Sequence, residues 1–133
     1  MEFPYIQIES SLWPMLPIVL RNGNNYVAME ALVDSGSSLN LIDEEYAAIV
    51  GIDDIKENGI EISIEGVGGA VKKGYRHDVV IEFCGSAIKT NVVFLPNMSD
   101  QFKAILGQEG FFEVGEIQFR YAKRKFKVDD KDL

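Results

Sequence analysis

With 133 residues and 14.9 kDa the chain is the size of one domain, and 47% hydrophobic with 26% charged residues excludes disordered, fibrous and low-complexity proteins. Thirteen Lys and Arg against 21 Asp and Glu leave a net charge of -8, a field that repels phosphate backbones and anionic lipid, so neither nucleic acid nor a membrane is an expected partner. A lone Cys84 and a lone His77 exclude an internal disulfide and a structural zinc site, and without a basic-apolar leader or a spanning stretch a cytoplasmic protein is expected.

Glycine, proline and asparagine cut the chain into short runs rich in Val, Ile, Phe and Tyr, which read as a mainly β protein. Tyr5 to Glu9, Leu16 to Leu20 and Tyr26 to Val33 are predicted strands, the last two joined by the hairpin loop Arg21-Asn22-Gly23-Asn24-Asn25. Asp43 caps a short helix whose first turn holds Glu44 and Glu45 and which Gly51 closes. Strands follow at Ile60 to Glu65, Val71 to Tyr75, Val79 to Phe83 and Ala87 to Phe94, with a turn at Cys84-Gly85-Ser86. A second helix is expected from Gln108 to Glu113, bracketed by Gly107 and Gly115, before strands at Gly115 to Tyr121 and near Lys125 to Val128. The charged end, Asp129 to Asp132, reads as loose. No repeat and no linker divides the chain, so residues 1–133 form one domain.

Chemistry concentrates in Ala31-Leu32-Val33-Asp34-Ser35-Gly36-Ser37-Ser38, where an apolar strand runs straight into an acid, a hydroxyl and a glycine. Taken alone, Asp34 is a turn residue whose side chain bonds its own backbone. Two further features stand beside it: the glycine-rich connection Gly66-Val67-Gly68-Gly69-Ala70 between two β-like runs, and Ile105-Leu106-Gly107 ahead of the expected second helix. Other candidates are plainer. Gly66-Val67-Gly68 lacks the later glycine and the βαβ unit of a dinucleotide loop. Asp43, Glu44, Glu45, Asp53 and Asp54 do not follow a calcium-loop spacing. Cys84 with His77 as a nucleophilic pair stands against a small residue at a turn. Lys123-Arg124-Lys125 reads as a solvated hairpin turn, and Trp13 as packing at a dimer edge or over the barrel.

In this order, the strand entering Asp34-Ser35-Gly36, the glycine-rich hairpin and Ile105-Leu106-Gly107 resemble the retropepsin-like aspartic proteases, over a core of about residues 16–128 with an acidic tail at 129–133. The resemblance implies a closed, mainly antiparallel β-barrel with a flap at Gly66, Val67, Gly68 and Gly69, and aspartic endopeptidase activity with Asp34 as the catalytic residue. Hydrolysis by Asp needs two carboxyl groups sharing one proton, and the chain has one Asp-Ser-Gly, so a homodimer supplies the second Asp34. An extended polypeptide is the implied substrate, with no cofactor and no metal. Ser35, Gly36 and Ser37 are the implied support of the active site: Ser35 bonding across the dimer, Gly36 letting amides approach the carboxylate, and Ser37 donating to Asp34, which favours an acidic working pH. Ile105, Leu106 and Gly107 form the second motif. The long, proline-rich Met1 to Leu20 and the acidic tail depart from the pattern, which bears on the intertwined terminal sheet of retroviral dimers. The competing reading is a catalytically silent retropepsin-like module that dimerises or binds peptide.

Overall fold

The computed structural model describes residues 1–66 and 68–130, and they are mainly β. In the first long strand, β4 (Met15–Asn22), Leu16, Ile18 and Leu20 are buried in alternation with exposed Pro17 and half-buried Val19. It turns tightly into β5 (Asn25–Val33), with Asn22 opposite Asn25 and Gly23 taking a φ of +60° in the two-residue loop between them. The end of β5 changes pattern. Ala31, Leu32 and Val33 are all buried, as expected of a strand covered on both faces.

The helix stands where the sequence places it. In α1 (Glu44–Ile49) the Asp43 carboxylate accepts from the Glu45 N–H at 3.0 Å, and Gly51 follows with a φ of +86°. The other oxygen of Asp43, a buried residue, accepts from the Met98 N–H at 2.8 Å with Lys103 Nζ at 3.5 Å, so one side chain ties the helix start to a distant loop.

Beyond the helix, β7 (Ile60–Glu65) pairs with β8 (Val71–Phe83), and β8 pairs along much of its length with β9 (Ser86–Leu95). The two strands expected at Val71 to Tyr75 and Val79 to Phe83 are thus one strand of 13 residues. Arg76, His77 and Asp78 do not break it, because they pair with β9, and Arg76 also with β7, while the Asp78 side chain stays exposed to solvent. At the β8–β9 turn Cys84 and Gly85 have φ of +51° and +79°, the handedness a tight hairpin requires.

Four strands of three residues each escape any reading by periodicity: β1 (Glu2–Pro4), β3 (Ser11–Trp13), β6 (Leu41–Asp43) and β10 (Ala104–Leu106). They owe their conformation to partners. β3 pairs with β2 (Ile6–Ile8), and Trp13 packs edge-on against Phe102 with ring centres 4.9 Å apart. In the main sheet the order is β4-β5-β10-β6-β9-β8-β7, and β4 also pairs with β8. Two pairings, β5 with β10 and β6 with β9, are parallel, so the sheet is mixed rather than antiparallel throughout. The core gathers between its strands around Leu16, Leu20, Ile42, Ile81, Phe94 and Leu106.

No helix forms from Gln108 to Glu113, where the chain makes successive turns. The Gln108 and Glu109 N–H groups donate to the Ser37 and Ser38 carbonyls and the Gly110 N–H to the Glu113 carboxylate, and Gly110 has a φ of +97°, outside the helical region. Phe111 is fully buried against Phe83 all the same, so the apolar residues between the two glycines anchor a packed turn.

The chain ends in β11 (Gly115–Arg120) and β12 (Lys125–Asp130), which with β1 form a three-stranded sheet in the order β1-β12-β11. Lys123 and Arg124 lie in the exposed turn between them. Asp129 and Asp130 therefore belong to a strand and not to a loose tail; residues 131–133 lie outside the described residues. The N-terminal ammonium donates to Asp129 at 2.7 Å and holds that carboxyl below the usual carboxylate range. Within one chain, then, the N-terminal strand is already paired to the C-terminal one. Among the described residues no helix is long and apolar enough to cross a membrane.

Candidate active site

Asp34 leaves the sheet between two partners. Its N–H donates to the Leu106 carbonyl at 3.0 Å, and the preceding N–H, of Val33, donates to the Pro14 carbonyl at 3.0 Å. The pairings Met15↔Leu32 and Ile105↔Leu32 flank β5 on both sides just before it. Buried strand residues thus fix the Asp34 backbone, while its side chain stands half-buried at the edge of the sheet.

The next residues turn at once. Ser37 N–H donates to the Asp34 carbonyl at 3.1 Å, and Gly36 N–H donates to Asp34 Oδ1 at 2.9 Å. This is the Asx turn that the tripeptide alone suggests. A Cβ at Gly36 would lie 3.2 Å from Asp34 Oδ1, tighter than most such contacts. No described residue donates to Oδ2 and none forms an ion pair with Asp34, so one oxygen is held and the other is open to a substrate, a water or a second carboxyl. Ser35 and Gly36 are exposed at the apex.

Ser37 differs from expectation. Its hydroxyl donates to the Leu39 carbonyl at 2.7 Å, and a hydroxyl has one proton to give, so it does not donate to Asp34. The turn dictates this: the Ser37 hydroxyl bonds onward along the chain and leaves the carboxylate to the Gly36 N–H. Ser37→Ala is accordingly expected to cost about 1 kcal/mol of stability for a lost neutral hydrogen bond. Urea unfolding reads that cost, and the pH–rate profile of the variant should overlie the wild type. A shifted profile would return the hydroxyl to Asp34.

Ile105-Leu106-Gly107 lies against this turn. Leu106 receives the Asp34 N–H, and Gly107 has no room for a side chain: a Cβ there would lie 2.4 Å from the Leu39 carbonyl and 2.6 Å from that of Ser37. Two residues outside the sequence motifs complete the contact. Asn40, 1% exposed, accepts the Gly107 N–H on Oδ1 at 2.9 Å and donates from Nδ2 to the Asn91 carbonyl at 3.1 Å. Gln108 donates from Nε2 to the Ser35 carbonyl at 2.6 Å. The one available signal for Asn40 is a polar residue between Leu39 and Leu41-Ile42; for Gln108 there is none.

Gly66, Gly68 and Gly69 sit at the tip of the β7–β8 hairpin, where Gly66 N–H donates to the Ala70 carbonyl at 2.8 Å and Gly68 and Gly69 have φ of +87° and +82°. Val67 lies outside the described residues. His77 and Cys84 do not form a nucleophilic pair. His77 Nε2 is bonded to the Ile55 carbonyl at 2.6 Å, and Cys84 sits just past the far end of the same extended strand, where burial pushes its thiol pKa up and away from a reactive thiolate. Among the described residues no three His, Cys, Asp or Glu side chains cluster as metal ligands would.

No protein-family model matches the chain, and no curated protein matches it in sequence. Solved structures match it in fold. EIAV protease complexed with the inhibitor HBY-793 aligns at a TM-score of 0.56 with 19% identity, over 77% of this chain and 88% of its own. The retroviral protease-like domain of Ddi1 from Leishmania major aligns at 0.63 with 15% identity, over 91% of this chain and 90% of that domain. The fold is retropepsin-like.

Proposed function

We propose that this protein is an aspartic endopeptidase whose active site forms when two copies bring their Asp34 carboxyls together at a two-fold axis. One observation carries the reading: Asp34 stands at the end of a buried strand, with Oδ1 held by the Gly36 N–H and Oδ2 without a donor among the described residues. A single carboxyl so placed has no group to share a proton with, whereas two of them facing one another share one. Aspartic proteases are the established example of such a dyad, and the sharing is carried over from that class.

Each Asp34 then has one task. The ionised carboxylate takes a proton from the bound water as its oxygen attacks the scissile carbonyl carbon, and the protonated carboxyl gives its proton to the carbonyl oxygen. A tetrahedral gem-diol forms, with no covalent enzyme intermediate. Its collapse breaks the C–N bond as the carboxyl protonated in the first step gives its proton to the amine and the other carboxylate takes one from a gem-diol hydroxyl, so that the pair returns to one shared proton. In this reading the sheet, in which β4 also pairs with β8, is the barrel that carries the turn at Asp34, and the glycine-rich hairpin is the flap, which pairs with an extended peptide and excludes water.

A mixed peptide library incubated from acidic to neutral pH tests this, with solution mass measured at each protein concentration. Cleavage whose specific activity rises as the dimer forms is the expected result. A folded dimer that cuts nothing at any pH would replace the endopeptidase with a silent peptide-binding module, and cleavage by a strict monomer would remove the shared site.

A further inference from the structure

The peptide unit between Ser35 and Gly36 is gripped at both ends. Its N–H holds Asp34 Oδ1 at 2.9 Å, and its carbonyl oxygen accepts from Gln108 Nε2 at 2.6 Å. A peptide unit is planar and stiff, so fixing its oxygen fixes the direction of its N–H. The unit needs that second hold. It sits at the exposed apex of the turn, and Gly36, lacking a Cβ, resists rotation of the plane less than any other residue would. A bond accepted at the carbonyl also polarises the amide and strengthens its N–H as a donor.

We infer that Gln108 is a positioning residue for Asp34, acting through the Ser35–Gly36 peptide plane; the inference rests on the reading of Asp34 as the catalytic carboxyl. Backbone bonds from Gln108 and Glu109 already hold Ser37 and Ser38, on the far side of the turn. Apart from Asp34 itself, the Gln108 amide is the one side chain among the described residues hydrogen-bonded to the apex, and it bonds there from an exposed position that contributes little to the core. Its loss therefore separates placement of the carboxylate from folding.

The test uses the full chain and its Gln108→Ala, Gln108→Glu and Gln108→Arg variants. Gln108→Ala is expected to lower kcat about tenfold, with KM and Tm unchanged, the scale set by small misplacements of catalytic groups. Gln108→Glu, an acceptor when ionised, should behave like Ala, whereas Gln108→Arg keeps an N–H donor of similar reach and should recover most of the rate. Amide exchange and the nitrogen chemical shift of Gly36 are read in the same proteins, and in Gln108→Ala exchange should accelerate. An unchanged Gly36 signal in Gln108→Ala overturns the inference whether or not the protein cuts peptide. So does a fall in Tm that accompanies the fall in kcat and that Arg does not reverse. A changed Gly36 signal in a protein that cleaves nothing supports the clasp and refutes the endopeptidase.

Discussion

If Asp34 is the catalytic carboxyl of the proposed endopeptidase, Asp34→Asn is expected to abolish peptide cleavage and to leave the fold intact. Asn keeps an oxygen to accept the Gly36 N–H, so the turn that carries residue 34 retains its bond, and the buried residues Ala31 to Val33 behind it are untouched. In the proposed dimer what disappears is every titratable carboxyl of the dyad, because a two-fold axis makes one substitution remove both the acid and the base. Proton transfer of this kind is worth about 10² to 10⁴-fold in rate, and with both roles gone the loss belongs at the upper end of that range. Tm and solution mass should equal those of the wild type. Mixing equal amounts of wild-type and variant chains at fixed total concentration provides a sharper check. Random pairing leaves about one quarter of the dimers with two carboxyls, so activity should fall toward that fraction once subunits exchange. Activity halved instead of quartered would mean that each Asp34 works alone, and residual cleavage by the pure variant near the wild-type rate would remove Asp34 from the chemistry.

The second large effect concerns stability. Gly107→Ala places a methyl 2.4 Å from the Leu39 carbonyl and 2.6 Å from the Ser37 carbonyl, and both obstacles are backbone. Neither can swing aside as a side-chain end would. Relief requires the turn at residues 34–40 to separate from the segment after β10, which breaks bonds that run between them: Gly107 N–H to Asn40, Gln108 N–H to Ser37 and Glu109 N–H to Ser38. Overpacking costs about 1–3 kcal/mol in cores that can relax, and this site has lost that option, so a loss of about 3 kcal/mol or more is expected. Thermal unfolding should show a Tm lower by roughly 10 °C, and urea unfolding a lower midpoint at unchanged slope. A Tm within about two degrees of the wild type would show that the two segments part easily.

These two residues also mark how far a sequence can be read. Asp34 is legible because an acid after three apolar strand residues is a local pattern, and local patterns report backbone state. Gly107 is legible as a motif member, but the reason for its glycine is not. It comes from two carbonyls about 70 positions earlier in the chain, brought there by the insertion of β10 between β5 and β6. Asn40 and Gln108 escape a sequence reading for the same cause. Each is an ordinary polar residue in its own stretch, and each acquires a role only from a distant backbone group that it bonds. The helix expected at Gln108 to Glu113 fails similarly: Gly110 takes a φ of +97° as the segment bonds Ser37 and Ser38 and packs Phe111 against Phe83, contacts that local propensity cannot register.

Side-chain alternation, helix capping and positive φ, each acting within a few residues, were enough to specify β4, β5, β7 and β9, the Asp43-capped helix, the hairpin turns at Gly23 and Gly85 and the position of the candidate carboxyl. The strands β1, β3, β6 and β10, the continuity of β8, the mixed parallel pairings, the direction of the Ser37 hydroxyl and the contacts of Asn40, Gly107 and Gln108 were settled only when the chain folded. The physical reason is range: alternation and capping energies act between near neighbours in the chain, whereas a short strand or a buried amide is stabilised only by partners that folding brings to it.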